Sequence, residues 1–63
     1  MTRNETNIDI IMAERNIRYD SDLAKEIGMD QNTLTKRLRG DISMNTLEML
    51  SNHFGVPLKD MIR

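Results

Sequence analysis

The stretch Leu23-Ala24-Lys25-Glu26-Ile27-Gly28-Met29-Asp30-Gln31-Asn32-Thr33-Leu34-Thr35-Lys36-Arg37-Leu38-Arg39-Gly40 decides how this chain is read. It resolves into two short helices joined at Gly28. Leu23, Ala24 and Ile27 recur at helical spacing and form the buried face of the first. Gly28 suits the left-handed position that ends a helix, Met29 plugs the core from the turn, and Asp30 suits the cap of the next helix. That helix runs from about Gln31 to Arg39, with Leu34 and Leu38 as an inward pair one turn apart. Its other face begins with amides and hydroxyls and ends with cations. A unit of this kind can lay one helix in the DNA major groove and hold it there through phosphate contacts.

Downstream, Asp41-Ile42 reads as a short loop and Ser43 as the N-cap of a helix over Met44 to Phe54. Ile42, just ahead of that cap, is placed to staple onto Leu47. Leu47, Leu50 and Phe54 face the core, and Gly55 stops the helix. Pro57 suits the first turn of a last short helix that carries Leu58, Met61 and Ile62. Upstream, Ile8, Ile11, Met12 and Arg15 form the inward stripe of a first helix over about Asn7 to Asn16, with Asn16 as its stop. Ile10 lies off the stripe and is expected to meet Ile17. Arg18, Tyr19 and Asp20 make the first connection. Asp20 or Ser21 caps the second helix, and Asp22 suits its positive end. Residues 1–6 read as a flexible polar arm and residues 7–63 as one helix-turn-helix domain. The expected fold is all-α and compact, with five short helices around one core and no strand.

Composition limits what this domain can do. At 63 residues it is a single domain with no room for a cleft between subdomains. It has no cysteine and a single histidine, His53, which excludes a thiolate metal site and leaves no metal cluster in view. No nucleophile–base pair and no glycine-rich phosphate loop is present, so an enzyme, a cofactor and a small-molecule ligand are not expected. No apolar run is long enough for a signal segment or a membrane span, and a cytoplasmic, nucleoid-associated protein is the expectation. The net charge of −1 counts against a nucleic-acid partner, but the charge is unevenly placed. Residues 31–40 hold Lys36, Arg37 and Arg39 and no acid, and the local field governs docking. The methionines Met12, Met29, Met49 and Met61 read as core filler, with Met44 exposed. His53, Lys59, Asp60 and Arg63 read as solvated helix residues.

At these residues the chain resembles the Cro/cI family, also called lambda-repressor-like or Xre. Ala24, the Gly28 turn, Leu34 and Gly40 fall at the family's spacing, and Thr46 to Ile62 resembles its closing helices. The likeness covers about Ile8 to Ile62. It implies that the third helix enters the major groove with Gln31, Asn32 and Lys36 at base edges, and with Thr35 against a thymine methyl or a phosphate. The chemistry agrees: Gln and Asn match the adenine N6/N7 pair, and Lys donates to guanine O6 and N7. Thr33, Arg37, Arg39 and the backbone at Gly40, Asp41 and Ile42 would then hold phosphates. The bland alternative is that the polar groups at 31, 32, 35 and 36 merely solvate an outer helix face.

The sequence departs from the family in four places. The family opens its second helix with Ser-Gln, whose Gln clamps a phosphate; here Tyr19-Asp20 stand there, and carboxylates repel phosphate. The first connection is one residue longer than common, so Tyr19 is either a phosphate ligand or a plug at the core rim, with the plug favoured. Leu38 replaces a glutamate that pairs with a first-helix arginine, and Met12 and Ala13 face it, so packing replaces the salt bridge. Arg37 occupies a usually apolar position and is expected to snorkel over Leu34 to a phosphate, or to meet Asp41.

The resemblance also implies a homodimer on double-stranded operator DNA, paired through the C-terminal helices, that represses by occupying its site. Val56, Leu58, Met61 and Ile62 are the candidate dimer contacts, with the alternative that all four are internal. A rival reading makes the same fold a protein-interaction module, an antirepressor or antitoxin, and the acidic entrance to the second helix favours it.

Overall fold

The computed structural model describes residues 1–63. Five α-helices follow one another: α1 (Ile8–Glu14), α2 (Asp20–Ile27), α3 (Gln31–Arg37), α4 (Met44–Phe54) and α5 (Leu58–Met61). Local chemistry sets several of their ends. The chain leaves α1 through Asn16, which takes φ 59°, a conformation that Asn tolerates better than most residues. Gly28 follows α2 at φ 80°, and the Gly28 and Met29 amides donate back to the Lys25 and Ala24 carbonyls at 3.3 and 2.9 Å. That pair of bonds closes α2 in a Schellman turn. One Asp30 carboxylate oxygen accepts from the Asn32 and Thr33 amides at 3.0 and 3.3 Å, which starts α3. Ser43 caps α4 through the Thr46 amide at 3.2 Å.

The inward faces meet in one core. Ile8, Leu23, Leu34, Leu50 and Met61 are wholly inaccessible to solvent, one from each helix. Ile11, Met12, Ile17, Ala24, Leu38, Ile42, Leu47 and Phe54 complete it, and Met1, Ile27, Met29, Met49, Val56 and Leu58 pack half-buried against it. Of the residues expected to pack in place of the family's salt bridge, Met12 and Leu38 are both in the core, whereas Ala13 is exposed. Met44 is exposed, as expected. Thr46 is buried although polar, its hydroxyl 3.0 Å from that of Ser43.

Several expectations are corrected here. Residues 1–6 are not a loose arm. Arg3–Glu5 form a 3-10 turn, Thr6 is buried and bridges to Ile62, and the Met1 carbonyl accepts from the Ile42 amide at 2.6 Å. The Glu5 carboxylate accepts from the Thr2 amide at 2.8 Å and the Thr2 hydroxyl at 3.1 Å, and these bonds hold its pKa below the ordinary value. Ile10 is exposed on the outer side of α1 while Ile17 turns inward, so they do not meet in the core. The turn at Asn16 delivers Ile17 to the core through a 2.9 Å bond from its amide to the Met12 carbonyl. Tyr19 is consequently no plug: it precedes α2 in extended backbone and is 66 % exposed. The helix α3 ends at Arg37, two residues before the expected end, though the Arg39 amide still reaches the Lys36 carbonyl at 3.3 Å.

Candidate nucleic-acid interface

The helix α3 is short, about 10 Å at 1.5 Å per residue. It is held on one side by Leu34 and Leu38 and packs closely against α2. With 3.6 residues per turn, the outer edge then falls to Asn32, Thr33 and Lys36, with Gln31 and Thr35 one turn apart on one flank and Arg37 on the other. Gln31, Asn32, Thr33, Lys36 and Arg37 are exposed, and Thr35 is half-buried. Asn32 and Lys36 stand one turn apart on the same edge, so an amide fork and an ammonium project side by side.

Nothing within the chain competes for these cations. The ion pairs of the structure join the Met1 amino group to Asp41, Arg3 to Asp9 and to Asp20, and His53 to Glu26. None uses Lys36, Arg37 or Arg39. Arg37 therefore does not meet Asp41, whose carboxylate is taken by the Met1 amino group. Arg39, Gly40 and Asp41 are exposed in the loop after α3. Ile42 is different: its side chain is buried and its amide already bonds the Met1 carbonyl. A phosphate cannot take that amide while the N-terminal turn is seated.

Two arginines make contacts across the fold that sequence reasoning did not foresee. The first is Arg3, assigned to the loose arm. Its guanidinium forks onto Asp20, Nη1 to Oδ2 at 3.0 Å and Nη2 to Oδ1 at 2.9 Å, and its Nε reaches Asp9 at 2.8 Å. The hydrogen bond to Asp20 is the main reason its pKa is raised, against the opposing effect of burial. Asp20 is thus the first residue of α2 and a partner of Arg3, where a cap was expected. The Thr2-x-x-Glu5 spacing, a capping-box pattern, was the one signal that residues 1–6 form structure. The second is Arg15, which donates to the Phe54 carbonyl at 2.6 Å with its guanidinium 4.9 Å above the Phe54 ring. It ties α1 to the end of α4; the helical stripe places Arg15 in line with Ile8, Ile11 and Met12, but nothing local names Phe54 as its partner.

At the far end, Met61 lies wholly inside the core, so it offers nothing to a partner. It turns inward because α5 is a single turn with one buried position. Val56, Leu58 and Ile62 remain partly accessible. His53 is less free than expected: its imidazole packs edge-on to Phe54 and stands 3.5 Å from the Glu26 carboxylate.

Two helices locked by a glycine turn, the second showing amides and unpaired cations outward, define a helix-turn-helix nucleic-acid-binding domain. The family model of the Cro/C1-type HTH DNA-binding domain matches residues 7–63, and the chain belongs to that family. It is a family of DNA-binding domains and not of enzymes. No curated protein and no solved structure matches the chain. No helix is long and apolar enough to cross a membrane.

Proposed function

We propose that this DNA-binding domain is a transcriptional regulator that seats α3 in the major groove of an operator. Gln31, Asn32, Thr35 and Lys36 read base edges. Tyr19, Thr33, Arg37, Arg39 and the backbone at Gly40 and Asp41 hold phosphates. The observation that carries this reading is the outer edge of α3, where the polar and cationic groups have no partner in the chain while Leu34 and Leu38 anchor the opposite side.

The domain acts as a homodimer and represses by occupying the operator. Its longest dimension is 25 Å, which is less than the roughly 34 Å between successive half-sites on one face of DNA. One chain therefore reads one half-site. Val56, Leu58 and Ile62 supply the apolar part of the contact between copies.

Selection of bound sequences from a random duplex pool tests this. An enriched site with two-fold symmetry is expected. Lys36→Ala and Gln31→Ala should each relax preference at one base pair by about 1–3 kcal/mol. Because few cations reach DNA, log K against log salt should be shallow, with a slope of roughly −3 to −5 per subunit. No enriched site, or a slope near zero, refutes the reading. A protein complex lost in these variants without any DNA retention would favour the interaction-module alternative.

A further inference from the structure

The first helix of a helix-turn-helix crosses the phosphate backbone, so charges at the start of α2 bear on affinity. Asp20 is the first residue of that helix, and a bare carboxylate there would oppose phosphate. The carboxylate is not bare. Arg3 covers both of its oxygens, at 3.0 and 2.9 Å, and each of the two side chains is 26 % exposed. Arg18, two residues before Asp20, is exposed and joins no ion pair, and it lines the same groove as Arg3 and Asp9.

Resting on the DNA-binding reading, we propose that Arg3 is a positioning residue for DNA: by clamping Asp20 it masks a carboxylate at the phosphate-facing start of α2 and leaves Arg18 free to meet the backbone. The charge balance shows why. Arg3, Asp9, Arg18, Asp20 and Asp22 sum to −1. Without Arg3 the sum is −2, and Asp20, released from its fork, has Arg18 as the nearest cation in sequence to capture. One change then costs the surface twice, through an exposed anion and a cation withdrawn. Neutralising Asp20 returns the sum to −1 and frees Arg18 again. This accounts for an acidic residue at a place where the fold meets an anionic partner.

The test compares Arg3→Met, Asp20→Asn, the double variant and Arg3→Lys in the full chain. Each is titrated against the selected duplex over a range of salt, and each is melted. Arg3→Met should bind about five- to twentyfold more weakly, with the salt slope shallower by roughly one charge per subunit. The double variant should recover to within about threefold of the parent and regain the slope, while its melting temperature stays as low as that of Arg3→Met. Asp20→Asn alone should bind at least as tightly as the parent. Arg3→Lys, which keeps the charge without the fork, should bind within about threefold and melt lower, and it serves if Arg3→Met does not fold. A double variant that binds no better than Arg3→Met overturns the proposal, as does an Arg3→Met that binds like the parent. A parent chain that binds no duplex refutes the DNA reading itself, which separates the two failures.

Discussion

Asp30 carries two separable roles, and two substitutions pull them apart. Its carboxylate oxygen takes the amides of Asn32 and Thr33 at 3.0 and 3.3 Å. The helix it starts has seven residues, too few to stand on its own propensity, so a lost cap is felt by the whole base-reading edge. The site is exposed, so water replaces the lost bonds and the cost of Asp30→Ala is that of an ordinary cap, about 1 kcal/mol. For a domain of this size that lowers the melting temperature by roughly 4–8 °C. Asp30→Asn keeps an oxygen acceptor of equal capping strength and should lose only a few tenths of a kcal/mol, ~2 °C. It also removes a negative charge one residue before Gln31. A unit charge ~8 Å from a phosphate in water is worth about 0.5 kcal/mol, and two such phosphates about 1 kcal/mol. Asp30→Asn should therefore tighten DNA binding by about two- to fivefold. Thermal melts by circular dichroism and fluorescence anisotropy on a labelled duplex measure both effects. An Asp30→Asn chain that melts as low as Asp30→Ala refutes the cap argument. If Asp30→Asn leaves affinity unchanged at low salt, the start of α3 does not face phosphates.

Two further outcomes are expected. Arg15→Met should lower stability by about 1–2 kcal/mol through loss of its bond to the Phe54 carbonyl and its stacking over the ring, measured by urea denaturation, with binding to the selected duplex unchanged because neither Arg15 nor Phe54 is among the proposed DNA contacts. The Glu5 carboxyl has its pKa lowered by the Thr2 amide and hydroxyl, so its support for the N-terminal turn is complete above the ordinary carboxylate range and is lost as pH falls through the depressed value. Amide shifts of Thr2 followed by NMR on acidification should report that loss, and Glu5→Gln should abolish the transition.

The five helices, the caps of α3 and α4 and most of the buried faces were legible from residues 7 to 62 alone, while the cap expected of Asp20 or Ser21 was not found. Asp30 and Ser43 accept from amides two or three residues on, and the Gly28 amide donates to carbonyls three and four residues back, and the periodicity of Leu34 with Leu38 or Leu47 with Leu50 needs no knowledge of what lies opposite. The outward edge at 32, 33 and 36, with Gln31 on its flank, follows from the same periodicity, by subtraction. What the tertiary structure alone decided are pairings between groups remote in the chain: Arg3 with Asp20, Arg15 with Phe54, and the Met1 carbonyl with the Ile42 amide. These turned an expected arm into part of the domain, masked the acidic start of α2 and withdrew Ile42 from the loop surface. Packing also chose among the apolar residues of the last helix, taking Met61 inside and leaving Val56, Leu58 and Ile62 at the rim. A local pattern records which residues a helix can bury; which distant charge or carbonyl an arginine reaches depends on how the helices are set against one another.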